Sequence, residues 1–158
     1  MASSKPLCID LFCGLFGWGE AFAAEGWEVI GFDIVDMCAA LGRHKPENCR
    51  LILQDVLTIT GEQLRRDPRV RDGRAVIVAS PPCQRYSYMA MPWSRAKREI
   101  RWQQWQRDSK FSTGFDLNDC FNACFRIAKE AGLPLIVENV KGAQPWIGRA
   151  SWHYGSFY

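Results

Sequence analysis

Short apolar runs alternate with glycine-punctuated amphipathic stretches along the chain. Residues 7–12, 27–32, 50–53, Ala75–Ala79 and Leu135–Val137 are mostly apolar and read as strands, Ala75–Ala79 as a buried one. The intervals between them read as helices. Residues 20–25 form one stopped by Gly26, residues 35–41 one ended by Gly42, and residues 60–66 one capped by Thr60. The clearest helix covers residues 117–131. Leu117, Cys120, Phe121, Cys124, Ile127, Ala128 and Ala131 recur there at three- and four-residue spacing. Asp116 caps its start, and Gly132 and Pro134 end it. Strands alternating with helices predict an α/β fold with a mainly parallel sheet joined by right-handed crossovers.

Two segments break the pattern. Residues 84–113 are polar, aromatic and too long for an ordinary connection, so a functional loop, mobile without its partner, is expected. Residues 146–158 are aromatic with no helix stop and read as a chain cut in mid-structure. The 158 residues suit a single domain over 1–158 with a real core.

Composition narrows the classes. Hydrophobic residues make up 47% of the chain, an ordinary value for a globular protein, and no run is long enough to span a bilayer. The start of the chain has no signal-peptide core, so a cytoplasmic protein without a membrane partner is expected. Seven cysteines form no regular framework and should stay reduced there. With no Cys-x-x-Cys pair and only His44 and His153, no metal site is expected. A net charge of +3 favours a polyanion only mildly. The basic residues cluster, however: five arginines lie within residues 65–74, and residues 85–110 mix Lys and Arg with Trp93, Trp102 and Trp105. Such mixtures contact phosphates and stack on bases, although a solvated loop has the same composition.

The chemistry gathers at predicted strand ends. Gly14 and Gly17 lie in the turn between the first strand and its helix, where glycines admit a ligand close to the backbone and helix amides offer donors. The spacing does not meet the dinucleotide fingerprint Gly-x-Gly-x-x-Gly. Asp33 ends the second strand, where an acidic side chain accepts hydrogen bonds from ribose hydroxyls. Asp55 follows the third strand and could accept from an adenine amino group. Each aspartate alone is better read as a turn residue; the two together with the glycine turn favour a nucleoside. Cys83 follows Pro81 and Pro82 directly after the fourth strand, a placement suited to a thiolate nucleophile. Neither histidine is placed as its base, which argues against a Cys–His hydrolase. Glu138 ends the fifth strand; protonated, it can hydrogen-bond a ring nitrogen and make a heterocycle electrophilic.

In order along the chain, residues 10–17, Pro82-Cys83-Gln84 and Glu138-Asn139-Val140 resemble the cofactor, nucleophile and acid motifs of the DNA cytosine-C5 methyltransferase family. The resemblance extends through Gly142. It implies a Rossmann-like S-adenosylmethionine-dependent methyltransferase fold. It implies a thiolate, Cys83, that adds to cytosine C6, a Glu138 that protonates N3, and a methyl group passed from S-adenosylmethionine to C5. The substrate would be double-stranded DNA with its cytosine flipped out. By position, the resemblance assigns Phe12, Cys13, Gly14, Leu15, Gly17, Asp33, Ile34, Asp55 and Pro82 to the cofactor site. It assigns Pro82, Asn139 and Ser87, the last in the family's mobile catalytic loop, to the cytosine site with Cys83 and Glu138.

The departures are specific. Phe16 stands where the family usually has glycine and is expected to reshape the methionine end of the pocket. Ser80-Pro81 replaces the commoner Gly-Phe. Cys83 and Glu138 lie fifty-five residues apart, longer than the family's usual spacing, and the excess falls in the Trp/Arg-rich segment. Nothing after Gly142 matches the family's arginine motif, target-recognition region or late Asn-containing motif, so the resemblance implies a catalytic part lacking a C-terminal recognition region. Two rival readings are a tRNA cytosine-C5 methyltransferase and a non-catalytic remnant that binds cofactor or DNA.

Overall fold

Five strands form one sheet in the order β3-β2-β1-β4-β5, and every neighbouring pair is parallel. The structure is a computed structural model and describes residues 5–83, 94, 98 and 118–153. The strands are β1 (Leu7–Leu11), β2 (Glu28–Asp33), β3 (Cys49–Leu53), β4 (Ala75–Ala79) and β5 (Leu135–Val137). The chain builds outward from β1 to β3, then returns to the other side of β1 for β4 and β5. The reversal leaves a crevice at the carboxyl ends of β1 and β4, where open α/β sheets bind ligands.

Helices cover both faces. On one face, α1 (Gly17–Ala24) packs over β1, β2 and β3 around Cys8, Val29, Cys38 and Val78. On the other, α5 (Asp119–Ala131) lies over Leu7, Ile9, Leu11, Ile77 and Ala79. β1 is therefore buried along its whole length, which explains why four of its five residues are apolar. Gly61, at the start of α3 (Gly61–Leu64), lies against α5: a Cβ there would collide with the backbone of Glu130 and Ala131.

The expected elements are present, with shifted ends. α1 begins three residues before the expected 20–25, and α2 (Met37–Ala40) is shorter than 35–41 because Asp36 caps it through Ala39 N at 3.0 Å. Thr60 Oγ1 accepts from Gln63 N at 3.2 Å, as its cap position predicts. The helix expected over 60–66 instead becomes α3 followed by a separate turn, α4 (Pro68–Arg71), capped by Asp67 and opened by Pro68. α5 starts at Asp119 with Asn118 before it; Asp116 and Leu117 lie outside the described residues, and Gly132 ends the helix at φ 72°. Residues 144–147 correct the expectation of an aromatic run without a helix stop: Gln144–Ile147 form α6, which ends at Gly148. Among the described residues, no helix is long and apolar enough to cross a membrane. The long segment expected over 84–113 lies outside the described residues except for Ser94 and Arg98.

Candidate functional site

The strand register aligns the sequence motifs. Leu11 pairs with Phe32 and Ala79, Phe32 with Ile52, and Ala79 with Val137. The next residue on each strand is therefore Phe12, Asp33, Leu53, Ser80 and Glu138, all on one edge of the sheet.

The turn after β1 has an unusual backbone. Phe12, Gly14 and Phe16 have φ of 60°, 50° and 63°. Glycine adopts this left-handed conformation freely, whereas a phenylalanine there costs about 1–2 kcal/mol. Two phenylalanines held this way mark an over-determined turn of the kind found at functional sites. Asp33 fastens it. Its Oδ2 accepts from Gly14 N at 3.0 Å and its Oδ1 from Ile34 N at 2.7 Å. A Cβ on Gly14 or Gly17 would meet nothing within 4 Å, so the space over the turn is open to a ligand.

Phe16 and Cys13 point the other way. Phe16 is fully buried, with its ring against Gly31 and Gly19; a Cβ on Gly31 would lie 2.7 Å from Cys13 Sγ and strike the Phe16 ring. The phenylalanine expected to reshape the pocket thus fills the core beneath the turn. Cys13 is buried in the same cluster, and its backbone N donates to Phe32 O at 3.2 Å.

Asp10 supports the turn from below and was not among the expected site residues. It is 1% exposed, and its Oδ2 accepts from Gly19 N at 3.2 Å, tying β1 to the start of α1. Burial pushes its pKa up to about 7; the Gly19 hydrogen bond opposes the rise and Asp33 adds to it. The raised value stabilises the fold fully below about pH 4, and this contribution is lost as pH climbs through 7. Relative to Asp10→Asn, which still accepts from Gly19 but does not titrate, the wild type should lose about 4 kcal/mol across that window. Urea unfolding of both proteins between pH 4 and pH 8 measures this, and a constant difference would contradict it.

Asp55 is exposed and caps a short 3-10 turn (Val56–Thr58), its Oδ1 accepting from Leu57 N at 2.9 Å. Around it the carboxyl edge is apolar and open: Ile34 is 70% exposed and Leu53 63%, and Leu15 is also exposed.

The turn after β4 carries Cys83. Pro81 is buried, Pro82 exposed and Cys83 half-buried. Asn139, 5% exposed, donates from Nδ2 to Pro81 O at 2.7 Å and accepts from Val140 N at 2.9 Å. It ties the cysteine's turn to the strand end that carries Glu138. Glu138 is half-buried; its backbone N donates to Ala79 O at 2.9 Å. A cavity of about 570 Å³ runs from Glu138 and Asn139 along β5, lined also by Trp18, Val137, Phe125 and Trp152. Gln84 and Ser87 lie outside the described residues.

Other cysteines are poor competitors for a nucleophile's role. Burial pushes Cys8 and Cys124 up to about 12 and Cys49 up to about 11, and it raises Cys13 and Cys120 as well. These thiols stay protonated at neutral pH. Among the described residues, no group of three or more His, Cys, Asp or Glu is arranged to hold a metal ion.

The arginines of residues 65–74 serve the opposite edge of the sheet. Arg69 is buried between Glu28, the first residue of β2, and Asp67 at 2.7 Å. Arg65 and Arg71 donate to the carbonyls of Glu130 and Arg65, and Arg74 O accepts from Leu7 N at the start of β1. Arg69 through its side chain and Arg74 through its carbonyl tie this segment to the amino-terminal end of the sheet, remote from the crevice.

No known family model matches the chain. Over 87 residues it is 29% identical to the type II methyltransferase M.XorII of Xanthomonas oryzae pv. oryzae, a match covering 53% of this chain and 20% of that protein. Its fold is similar to that of an E. coli prophage-encoded protein assigned as a DNA modification methyltransferase, at TM-score 0.53 and 20% identity, over 88% of this chain and 33% of that one. It is also similar to a mutant of Spodoptera frugiperda DNMT2, at TM-score 0.53 and 14% identity, over 89% of this chain and 37% of that one. The chain thus spans a fifth to about a third of the length of these proteins. The fold is the Rossmann-like fold of these two solved proteins, and the sequence match is to a type II methyltransferase.

Proposed function

We propose that this chain carries the cofactor and cytosine-activating residues of a DNA cytosine-C5 methyltransferase. The observation that carries this reading is the strand register: it brings the glycine turn, Asp33, the Cys83 turn and Glu138-Asn139 to one edge of the sheet, around the β1/β4 crevice. The open space over Gly14 and Gly17, the carboxylate at the tip of β2 and the exposed Ile34 beside it fit an adenosyl group. Phe12, Gly14, Leu15 and Gly17 would border the ligand, Asp33 would accept from ribose through its remaining lone pairs, and Ile34 and Asp55 would meet the adenine. Cys13 would contribute backbone only, since its side chain is buried. S-adenosylmethionine, bound there, supplies the methyl group.

The chain's own residues activate the base. The Cys83 thiolate adds to C6 of a flipped cytosine while Glu138 donates a proton to N3, so the electron pair of the C5–C6 bond becomes available at C5. Pro82 and Asn139 would hold the two groups on neighbouring strand ends, and Ser87 would belong to the same cytosine site. The free cysteines suit a reducing, cytoplasmic setting.

The test is incubation of the protein with tritiated S-adenosylmethionine and either duplex DNA or tRNA, with the labelled base identified after digestion. Label on C5 of DNA cytosine is expected. Label on tRNA alone would transfer the reading to the RNA enzyme, and cofactor binding without label on either would leave a binding remnant. Asp33→Ala should weaken S-adenosylmethionine binding by about 1–3 kcal/mol, the cost of losing a charged hydrogen-bond partner. Calorimetry that gives equal affinities would remove Asp33 from the site.

A further inference from the structure

We infer that Trp18 and Ser80 form a strut that positions Cys83, an inference resting on Cys83 as the nucleophile. The turn after β4 has few donors with which to fasten itself, because Pro81 and Pro82 carry no N–H. It is held through its acceptors. Trp18 Nε1 donates to Ser80 Oγ at 3.0 Å, and Asn139 Nδ2 donates to Pro81 O at 2.7 Å. Ser80 N adds a longer bond to Leu11 O, at 3.3 Å.

The two side-chain ties come from opposite sides of the crevice. Trp18 stands in the first turn of α1, directly after the glycine turn, and Asn139 follows Glu138. Cys83, three residues past Ser80, is therefore suspended between the helix beside the cofactor turn and the strand end that carries the acid. Trp18 also lines the cavity beside Glu138. An indole N–H only donates, so the Ser80 hydroxyl must accept, which leaves its own hydrogen free for another partner. Ser80 is one of the positions at which this sequence departs from the family pattern, and Trp18 is the partner that gives its hydroxyl a purpose. The pair are positioning residues: neither is assigned contact with the reacting atoms.

The test is the rate at which iodoacetamide alkylates each cysteine of the native protein, read by peptide mass mapping. Trp18→Phe keeps the ring and removes the donor; Ser80→Ala removes the acceptor; Ser80→Thr keeps it. Trp18→Phe and Ser80→Ala should each raise the Cys83 rate about five-fold as the turn leaves its seat, the factor given by one neutral hydrogen bond. The double variant should match either single one, because both remove the same bond. Ser80→Thr should behave as wild type, and Cys120 and Cys124 should keep their rates throughout. An unchanged Cys83 rate, multiplicative effects in the double variant, loss of the effect of the hydroxyl in Ser80→Thr, or a parallel rise at every cysteine would overturn the strut. Alkylation involves no methyl transfer. A protein that labels neither DNA nor tRNA therefore refutes the enzymatic reading separately, and the strut is judged on these rates.

Discussion

Replacing Cys83 with serine should abolish the covalent complex between the protein and duplex DNA containing 5-fluorocytosine in the presence of S-adenosylmethionine. Fluorine at C5 cannot leave as a cation, so the adduct between a cysteine and C6 persists through denaturing electrophoresis. A serine hydroxyl is far less nucleophilic at neutral pH than a thiol in equilibrium with its thiolate. Glu138→Gln should form the same adduct about 10²–10⁴-fold more slowly, the usual contribution of a positioned acid, because an amide cannot protonate N3 as a carboxyl does. Removing Cys120 or Cys124 should leave trapping intact. Both thiols are raised by burial, and both lie on α5 rather than in the turns that follow the strands. A peptide map with the nucleotide on any cysteine other than Cys83 would dismantle the assignment.

Phe16→Ala should destabilise the protein by about 3–5 kcal/mol, the cost of emptying a fully buried aromatic site. Phe16→Gly removes even more side chain yet should be the less damaging change by about 1 kcal/mol. Glycine accepts the left-handed backbone at this position, at φ 63°, and alanine does not. Denaturant unfolding of the three proteins provides the comparison. An alanine variant equal to or more stable than the glycine variant would mean that the backbone relaxes on substitution and that the turn is not over-determined by its surroundings. The opposed terms show why a phenylalanine persists where the conformation favours glycine: packing against Gly19 and Gly31 outweighs the backbone cost.

Much of this molecule is legible in one sequence because β1, β4 and α5 are buried in simple patterns. The run at 75–79 is apolar on both faces, that at 7–11 is so except for Asp10, and α5 buries Phe121, Cys124, Ile127 and Ala128 at helical spacing. Motifs that fall directly after such strands inherit their place from topology, which is why Asp33, Cys83 and Glu138 could be named. What escaped depends on contacts distant in sequence. α4 hides because Pro68 and its arginines look like loop, and its function is to seat Arg69 between Asp67 and Glu28. Asp10 was visible within a motif, but its burial against the Gly19 amide was not. Trp18 and Ser80 are sixty-two residues apart, and no local pattern pairs them. The direction of Phe16 could not be read locally either, since it depends on Gly31 leaving room on the neighbouring strand.

The placement of β1 at the centre of the sheet also bears on how the molecule comes into being. As the chain leaves the ribosome, β1, α1, β2 and β3 appear first, and β2 can pair with β1 at once. The other side of β1 waits for Ala75–Ala79, and β4 in turn waits for a strand that follows the whole of α5. Until then the nascent protein presents an apolar backbone edge, the kind of surface that invites pairing with a neighbouring chain. Synthesis that stalls between residues 53 and 75 would leave that edge bare, a liability at which a chaperone has most to offer.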